Sequence, residues 1–231
     1  MEDFVRIVAD PLDAPTAHRI FMQHRLIEQP AMMSVLADLA VESEAATALA
    51  FQVGAAFDMA DPLSRLLTPI AKYWVCKRAP AMVYVAMECL GGTGYVETGP
   101  MPRLFRQSAL NAIWEGPGNV IALDVLRAME REPQALDSLR EFLFSASGRY
   151  PSYDNHLKTL KISGLAEHNA RNIVEQLAIS AQAAVLDNAD NPVAEAFCKL
   201  RLDRPSNLFG ASTAVIDTRS IIERAMPTAL M

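Results

Sequence analysis

Strand-type runs are scarce in this sequence of 231 residues, and Ala, Leu and Met are abundant, so the expected class is all-α. Cysteine is scarce too. Cys76, Cys89 and Cys198 are far apart and odd in number, with no C-x-x-C spacing, which excludes a disulfide framework and a zinc module. They are expected to be buried, reduced thiols. The four histidines, His18, His24, His156 and His168, pair with nothing at ligand spacing, so no metal is expected. No apolar run reaches membrane-spanning length without charges. The opening Met1-Glu2-Asp3 is acidic where a secretory leader would be basic, so the expected location is cytoplasmic. Neither half carries a cationic excess. Residues 1–130 hold ten Lys/Arg against fifteen Asp/Glu, and residues 131–231 hold eleven against twelve, within a net charge of -6. Nucleic-acid binding would therefore need a local patch.

Helical periodicity fills most of what remains. After an irregular lead-in over 1–15, a short helix is expected at about Thr16–His24. Gln29-Pro30 marks a helix start, because proline lacks an N–H that the first turn does not use. From there Met33, Leu36, Leu39, Ala46, Ala50, Val53 and Phe57 recur every three to four residues, predicting a helix over 30–59. Asp38, Glu42 and Glu44 are assigned to its solvated face. Asp61-Pro62 then reads as a cap and first-turn proline for an antiparallel second helix over 62–90. Pro69 and Pro80 inside it are expected to kink or restart it. Lys72, Lys77 and Arg78 are read as solvated or inter-helix charges. Beyond a glycine-rich connector, helices are expected at 119–129, 134–146, 155–162, 165–188 and 192–202, with a short one near 218–226. The shift in character at Glu132-Pro133 divides a bundle over 16–131 from an extension over 132–231.

The connector from Gly91-Gly92-Thr93-Gly94-Tyr95 to Ile113-Trp114-Glu115-Gly116 concentrates glycine, proline and arginine between two apolar helices. A connector this long in a helical chain points to function. The glycine cluster does not sit between a strand and a helix, so it is not a Rossmann fingerprint; it either ends a helix or brings bare backbone close to a ligand or another chain. Glu115, between an indole and a glycine, has two readings. In a closed pocket its charged form would be disfavoured, tuning it toward proton abstraction, with Gly116 leaving room for a substrate or cofactor plane. Otherwise it is a carboxylate near the positive end of the next helix.

Jointly, Glu88-Cys89-Leu90-Gly91-Gly92-Thr93-Gly94-Tyr95, Pro102-Arg103-x-x-Arg106 and Ile113-Trp114-Glu115-Gly116 resemble the C-terminal helical domain of flavin-dependent acyl-CoA dehydrogenases. Leu26-Ile27-Glu28-Gln29-Pro30, Thr68-Pro69-Ile70-Ala71-Lys72-Tyr73-Trp74 and Gly118 to Arg127 narrow the resemblance to the AidB branch, the alkylation-response flavoproteins. Ala194-Glu195-Ala196-Phe197-Cys198 extends it, so that it covers residues 19–203.

The resemblance implies a four-helix bundle that assembles as a homo-oligomer, followed by a helical extension. It implies FAD as cofactor and acyl-CoA as substrate. Glu115 stands at the place of the base that takes the proton α to the thioester carbonyl, with Trp114 and Gly116 beside it at the cofactor. Glu88, Gly91 and Gly92 stand where one subunit touches its neighbour's flavin, and Arg19 where an Arg-x-x-Phe-Gly motif reaches the pyrophosphate. Arg127 matches an arginine resembling a DNA contact in the AidB branch, with Arg140, Arg149, Lys158 and Lys161 as companions. The sequence departs from the family in two places. Met22-Gln23 replaces Phe-Gly, and Pro117 stands where a hydroxyl usually reaches the cofactor. The helical and β domains that precede this region in the family find no counterpart in these residues, so the chain alone is expected to bind flavin weakly and to be inactive. Three functions follow as expectations: part of a CH–CH oxidoreductase, a DNA-associated protective module, or a helical oligomerisation domain.

Overall fold

The computed structural model describes residues 20–21, 24–160, 162 and 166–226. Arg19, Met22, Gln23 and Lys161, and most of the helix expected at 16–24, lie outside them. The described residues of that stretch form a two-residue antiparallel pairing, β1 (Ile20–Phe21) with β2 (His24–Arg25), instead of a helix. All other regular structure among the described residues is helical.

Helices α1 (Pro30–Asp58) and α2 (Leu63–Leu90) fold back on each other. Pro30 opens α1 at its first turn, as its spacing predicts. In the turn between them Asp61 Oδ1 accepts a hydrogen bond from the Leu63 amide at 2.8 Å, taking up a donor that α2 leaves unpaired. Pro69 and Pro80 do not end α2, which runs unbroken through both. Its buried face holds it where intrinsic preference would break it. The short α3 (Gly92–Tyr95) and α4 (Met101–Asn111) form the connector. Then come α5 (Gly118–Arg131), α6 (Pro133–Phe144), α7 (Pro151–Thr159), α8 (Ala170–Asn188), α9 (Ala194–Cys198) and α10 (Thr218–Ala225).

One core runs through both parts of the chain. Leu36 and Leu49 of α1, Leu66 and Ile70 of α2, Val125 of α5, Leu139 of α6 and Leu177 of α8 are buried in one cluster. Fully burying each such side chain stabilises the fold by about 2 kcal/mol. A smaller cluster of Val83, Ala86 and Met101 joins the end of α2 to α4. Cys89 and Cys198 are buried and Cys76 half-buried, with no disulfide among them. Burial pushes the Cys89 thiol up to about 11 and Cys198 to about 12.

The acidic face assigned to α1 is not solvated. Asp38 and Glu42 are each 2% exposed. Arg201, on a π-helical turn at Lys199–Asp203, donates to Asp38 Oδ1 at 2.7 Å and to Glu42 Oε2 at 2.6 Å. Arg78 of α2 adds two bonds to Glu42 at 3.1 Å. The Phe209 ring lies 4.4 Å from the Arg78 guanidinium carbon, and the Gly210 amide donates to Asp38 Oδ2 at 2.8 Å. A Cβ on Gly210, whose φ is 75°, would meet Val35 Cγ2 at 2.5 Å, so only glycine allows this approach. Farther along, Arg224 of α10 pairs with Glu44 at 2.7 Å. The whole acidic set thus anchors the last helices, because two carboxylates one turn apart on a packed face need cations to stay charged there.

Candidate functional site

The loop between α4 and α5 carries the sharpest geometry in the molecule. Helix α4 winds out at Asn111, and the amides of Ile113 and Trp114 both donate to the Leu110 carbonyl, at 2.9 and 3.1 Å. The chain then turns left-handed twice, at Glu115 (φ 58°) and Gly116 (φ 117°). Pro117 leads into α5. A left-handed glutamate is strained, because its Cβ crowds the neighbouring carbonyl. A Cβ on Gly116 would come within 3.2 Å of Ile121 Cγ1, so the glycine packs directly on α5.

Two clefts meet at this loop. One, of about 550 Å³, lies between the α1–α2 turn and α5 and is lined by Phe57, Arg65, Thr68, Lys72, Glu115 and Asp124, among others. The second, of about 540 Å³, runs between α1 and α2 over Ala46, Ala50, Val53, Ala71, Val75 and Cys76 and ends at Trp114 and Glu115. Thr68, Lys72 and Glu115 border both. The first has a fixed polar wall: Arg65 holds Asp124 at 3.0 and 3.3 Å and Glu132 at 2.9 Å. The second is floored by small apolar side chains, and its Cys76 thiol is pushed up by burial and by the nearby Glu115 carboxylate, against Lys72 and Lys77.

Glu115 accepts no hydrogen bond and forms no ion pair among the described residues, and α5 has no side-chain cap. Glu115 thus makes no capping hydrogen bond to α5, although it lies just ahead of that helix's first turn, and its carboxylate stands at the cleft junction. Lys72 Nζ donates to the carbonyls on either side of it, Trp114 at 2.6 Å and Gly116 at 3.1 Å. No sequence signal links residues this far apart, and the sequence analysis missed the contact. Trp114 is 64% exposed, with no described residue covering it. Arg106 fixes the connector through Glu97 at 2.8 and 3.2 Å, while Arg103 is exposed without a partner among the described residues.

Glu88, Gly91 and Gly92 do not join Glu115. They sit at and just beyond the far end of α2, with Glu88 roughly 24 Å from Lys72 at about 1.5 Å per residue. There Glu88 and Gly92 are exposed, and a Cβ on Gly92 would meet nothing within 4 Å. With Gly91 half-buried between them, they form an open edge of the bundle. No group of side chains that could hold a metal occurs among the described residues. Arg127 is exposed on α5. Its proposed companions turn to their own neighbours: Arg140 to Asp137 at 3.3 Å, Arg149 to Asp190 at 2.7 Å and Lys158 to Asn155 at 3.4 Å. No described helix is long and apolar enough to cross a membrane.

Comparison with known proteins places this geometry. Residues 16–130 match the family described as acyl-CoA dehydrogenase, C-terminal domain. The putative acyl-CoA dehydrogenase AidB of Escherichia coli K12 is 39% identical over 186 residues, covering 77% of this chain and 34% of that protein. The crystal structure of Caenorhabditis elegans ACDH-11 in complex with C11-CoA superposes with a TM-score of 0.73 at 22% identity, over 91% of this chain and 42% of that one. An acyl-CoA dehydrogenase complexed with FAD from Bacillus anthracis superposes at 0.65 and 15% identity, over 85% and 44%. At such identities the two structures establish the helical fold. The chain spans about a third of the AidB relative's length.

Proposed function

The chain belongs to the acyl-CoA dehydrogenase family through its C-terminal helical domain, and on that premise we propose that it supplies the proton-abstracting wall of an acyl-CoA dehydrogenase site. Glu115 is the base. Its carboxylate takes the proton from the carbon α to the thioester carbonyl, and the β-hydride leaves in the opposite direction. An FAD, bound by the complete protein, supplies the hydride acceptor that no side chain can provide. One observation carries the assignment: a carboxylate with no partner among the described residues, in a strained backbone, at the junction of two clefts. Strain of this kind persists only where surrounding structure enforces it, and it clusters at active sites.

The other roles follow from position. Gly116 keeps the approach to Glu115 open. Glu88, Gly91 and Gly92 offer an edge to a flavin held mainly by another subunit, and Arg19, outside the described residues, is assigned to its pyrophosphate by the family resemblance alone. Self-association is part of the proposal. Phe51, 74% exposed, and Phe57, 60% exposed, stand out from α1 where the bundle leaves them bare.

The experiment is Glu115→Gln in the complete protein with a bound flavin. Flavin content should be unchanged and acyl-CoA dehydrogenation should fall at least about a hundredfold, the scale of losing a general base. Near-normal turnover would remove Glu115 from the mechanism.

A further inference from the structure

Two consecutive positive-φ residues, Glu115 and Gly116, make a bend that a glutamate does not choose for itself. Its own carboxylate returns nothing, since no described group binds it. The restraint comes from Lys72, on α2 and 42 residues upstream of Trp114. Its ammonium gathers the Trp114 carbonyl at 2.6 Å and the Gly116 carbonyl at 3.1 Å. Those two carbonyls flank the Glu115 peptide. Rotating φ at Glu115 toward the ordinary negative range swings one away from the other, so both bonds hold only while Glu115 stays left-handed. Lys72 itself rises from the middle of a helix whose adjacent Tyr73 and Trp74 are buried, so the anchor is rigid. A compact ammonium with three donors can serve two carbonyls at once.

We propose that Lys72 is the positioning residue of this site, holding Glu115 in its left-handed, cleft-facing conformation by clamping the carbonyls on both sides. The clamp stands on geometry alone; its bearing on turnover rests on Glu115 being the base. It also assigns a purpose to a charge that would otherwise be an ordinary helix-surface lysine.

The test compares Lys72→Met, which keeps the stem and removes the donors, with Lys72→Arg, which keeps both charge and donors. In the ¹⁵N-labelled chain the backbone order parameters of residues 114–116 should drop from about 0.85 to below about 0.6 in Lys72→Met. Those of α2 and α5 should not change, and Lys72→Arg should restore most of the order. In the complete protein, Lys72→Met should lower kcat by tens-fold, up to about a hundredfold, the scale of misplacing a reacting group by an ångström, with KM within about twofold. Lys72→Arg should recover most of it. A Lys72→Met loop as rigid as the original overturns the clamp. So does loosening that spreads through α2, or failure of that variant to fold, either of which makes Lys72 a stability residue. A loosened loop with normal kcat overturns the catalytic bearing. The failure of Glu115 as base is a different result: Glu115→Gln then turns over normally while the Lys72→Met loop still loosens.

Discussion

Glu42 and Glu115 are the same side chain in two regions of one bundle. Glu42, on α1, is sealed from water and receives four hydrogen bonds from Arg78 and Arg201. Burial pushes its pKa up, but the two guanidinium charges and their bonds outweigh it and bring it to about 2. Glu115 has no partner among the described residues, sits on a bend its backbone resists, and lines two clefts. One carboxylate is spent entirely on the fold and the other is withheld from it. The contrast separates structure from chemistry: a group free to take a proton from a substrate is one the protein has not already satisfied.

The largest effect should fall on the satisfied side. Arg201→Met strands Asp38 and part of Glu42 in a dry site, and denaturant unfolding should show a loss of about 3–5 kcal/mol. Glu115→Gln, measured the same way on this chain, should stay within about 0.5 kcal/mol. Equal losses in the two variants would erase the distinction. Acid should act next. Glu42 has a folded pKa below its ordinary 4.5, so its contribution is complete above about pH 4.5 and is lost as pH falls toward about 2. His156, whose ring contacts Ser180 Oγ at 2.9 Å, is lowered by burial against a smaller opposing contact with the Gln176 carbonyl. Its contribution is therefore present above its ordinary value of 6.5 and is lost as pH falls below it. A pH series of unfolding should show a shallow early decline that Glu42→Gln leaves in place and a steeper late one that it removes. The smallest effect sharpens the contrast most. Glu115→Gly relieves the left-handed strain and should stabilise the chain by about 1 kcal/mol, raising Tm by about 2–4 °C. An unchanged or lower Tm would mean that the bend stores no strain.

The helices were legible because each reports its own buried face. The periodicity of Met33 to Phe57 and the Asp61-Pro62 turn placed α1 and α2 within a residue or two of Pro30–Asp58 and Leu63–Leu90. The glutamate loop was legible because backbone breakers in a helical chain stand out, and Asn119 was one residue from the observed start of α5 at Gly118. Contacts between distant residues were not legible. Asp38 and Glu42 look like a solvated face until Arg201 is known to lie above them, 163 residues from Asp38. The one available hint was that two acids one turn apart share a face with Leu49 and Ala45, where like charges need a cation. Lys72 gave no hint, since its partners are carbonyl oxygens, which every residue has. The exposure of Trp114 was not legible either, because burial depends on residues distant in sequence.

The distance from Asp38 to Arg201 has a consequence for how the protein is made. A ribosome adding about 5–20 residues per second delivers α1, then Arg78 on α2, and only many seconds later the arginine that balances Asp38. Until then the nascent hairpin carries one guanidinium against two carboxylates on a face that must end up dry. The first half of the chain cannot finish folding during its own synthesis. It waits, with the Gly210 approach to Val35 still open, for the stretch that carries Arg201 and Gly210. A nonsense codon just before residue 201 would release a polypeptide that keeps the apolar core shared by α1, α2, α5, α6 and α8 but leaves Asp38 without its arginine.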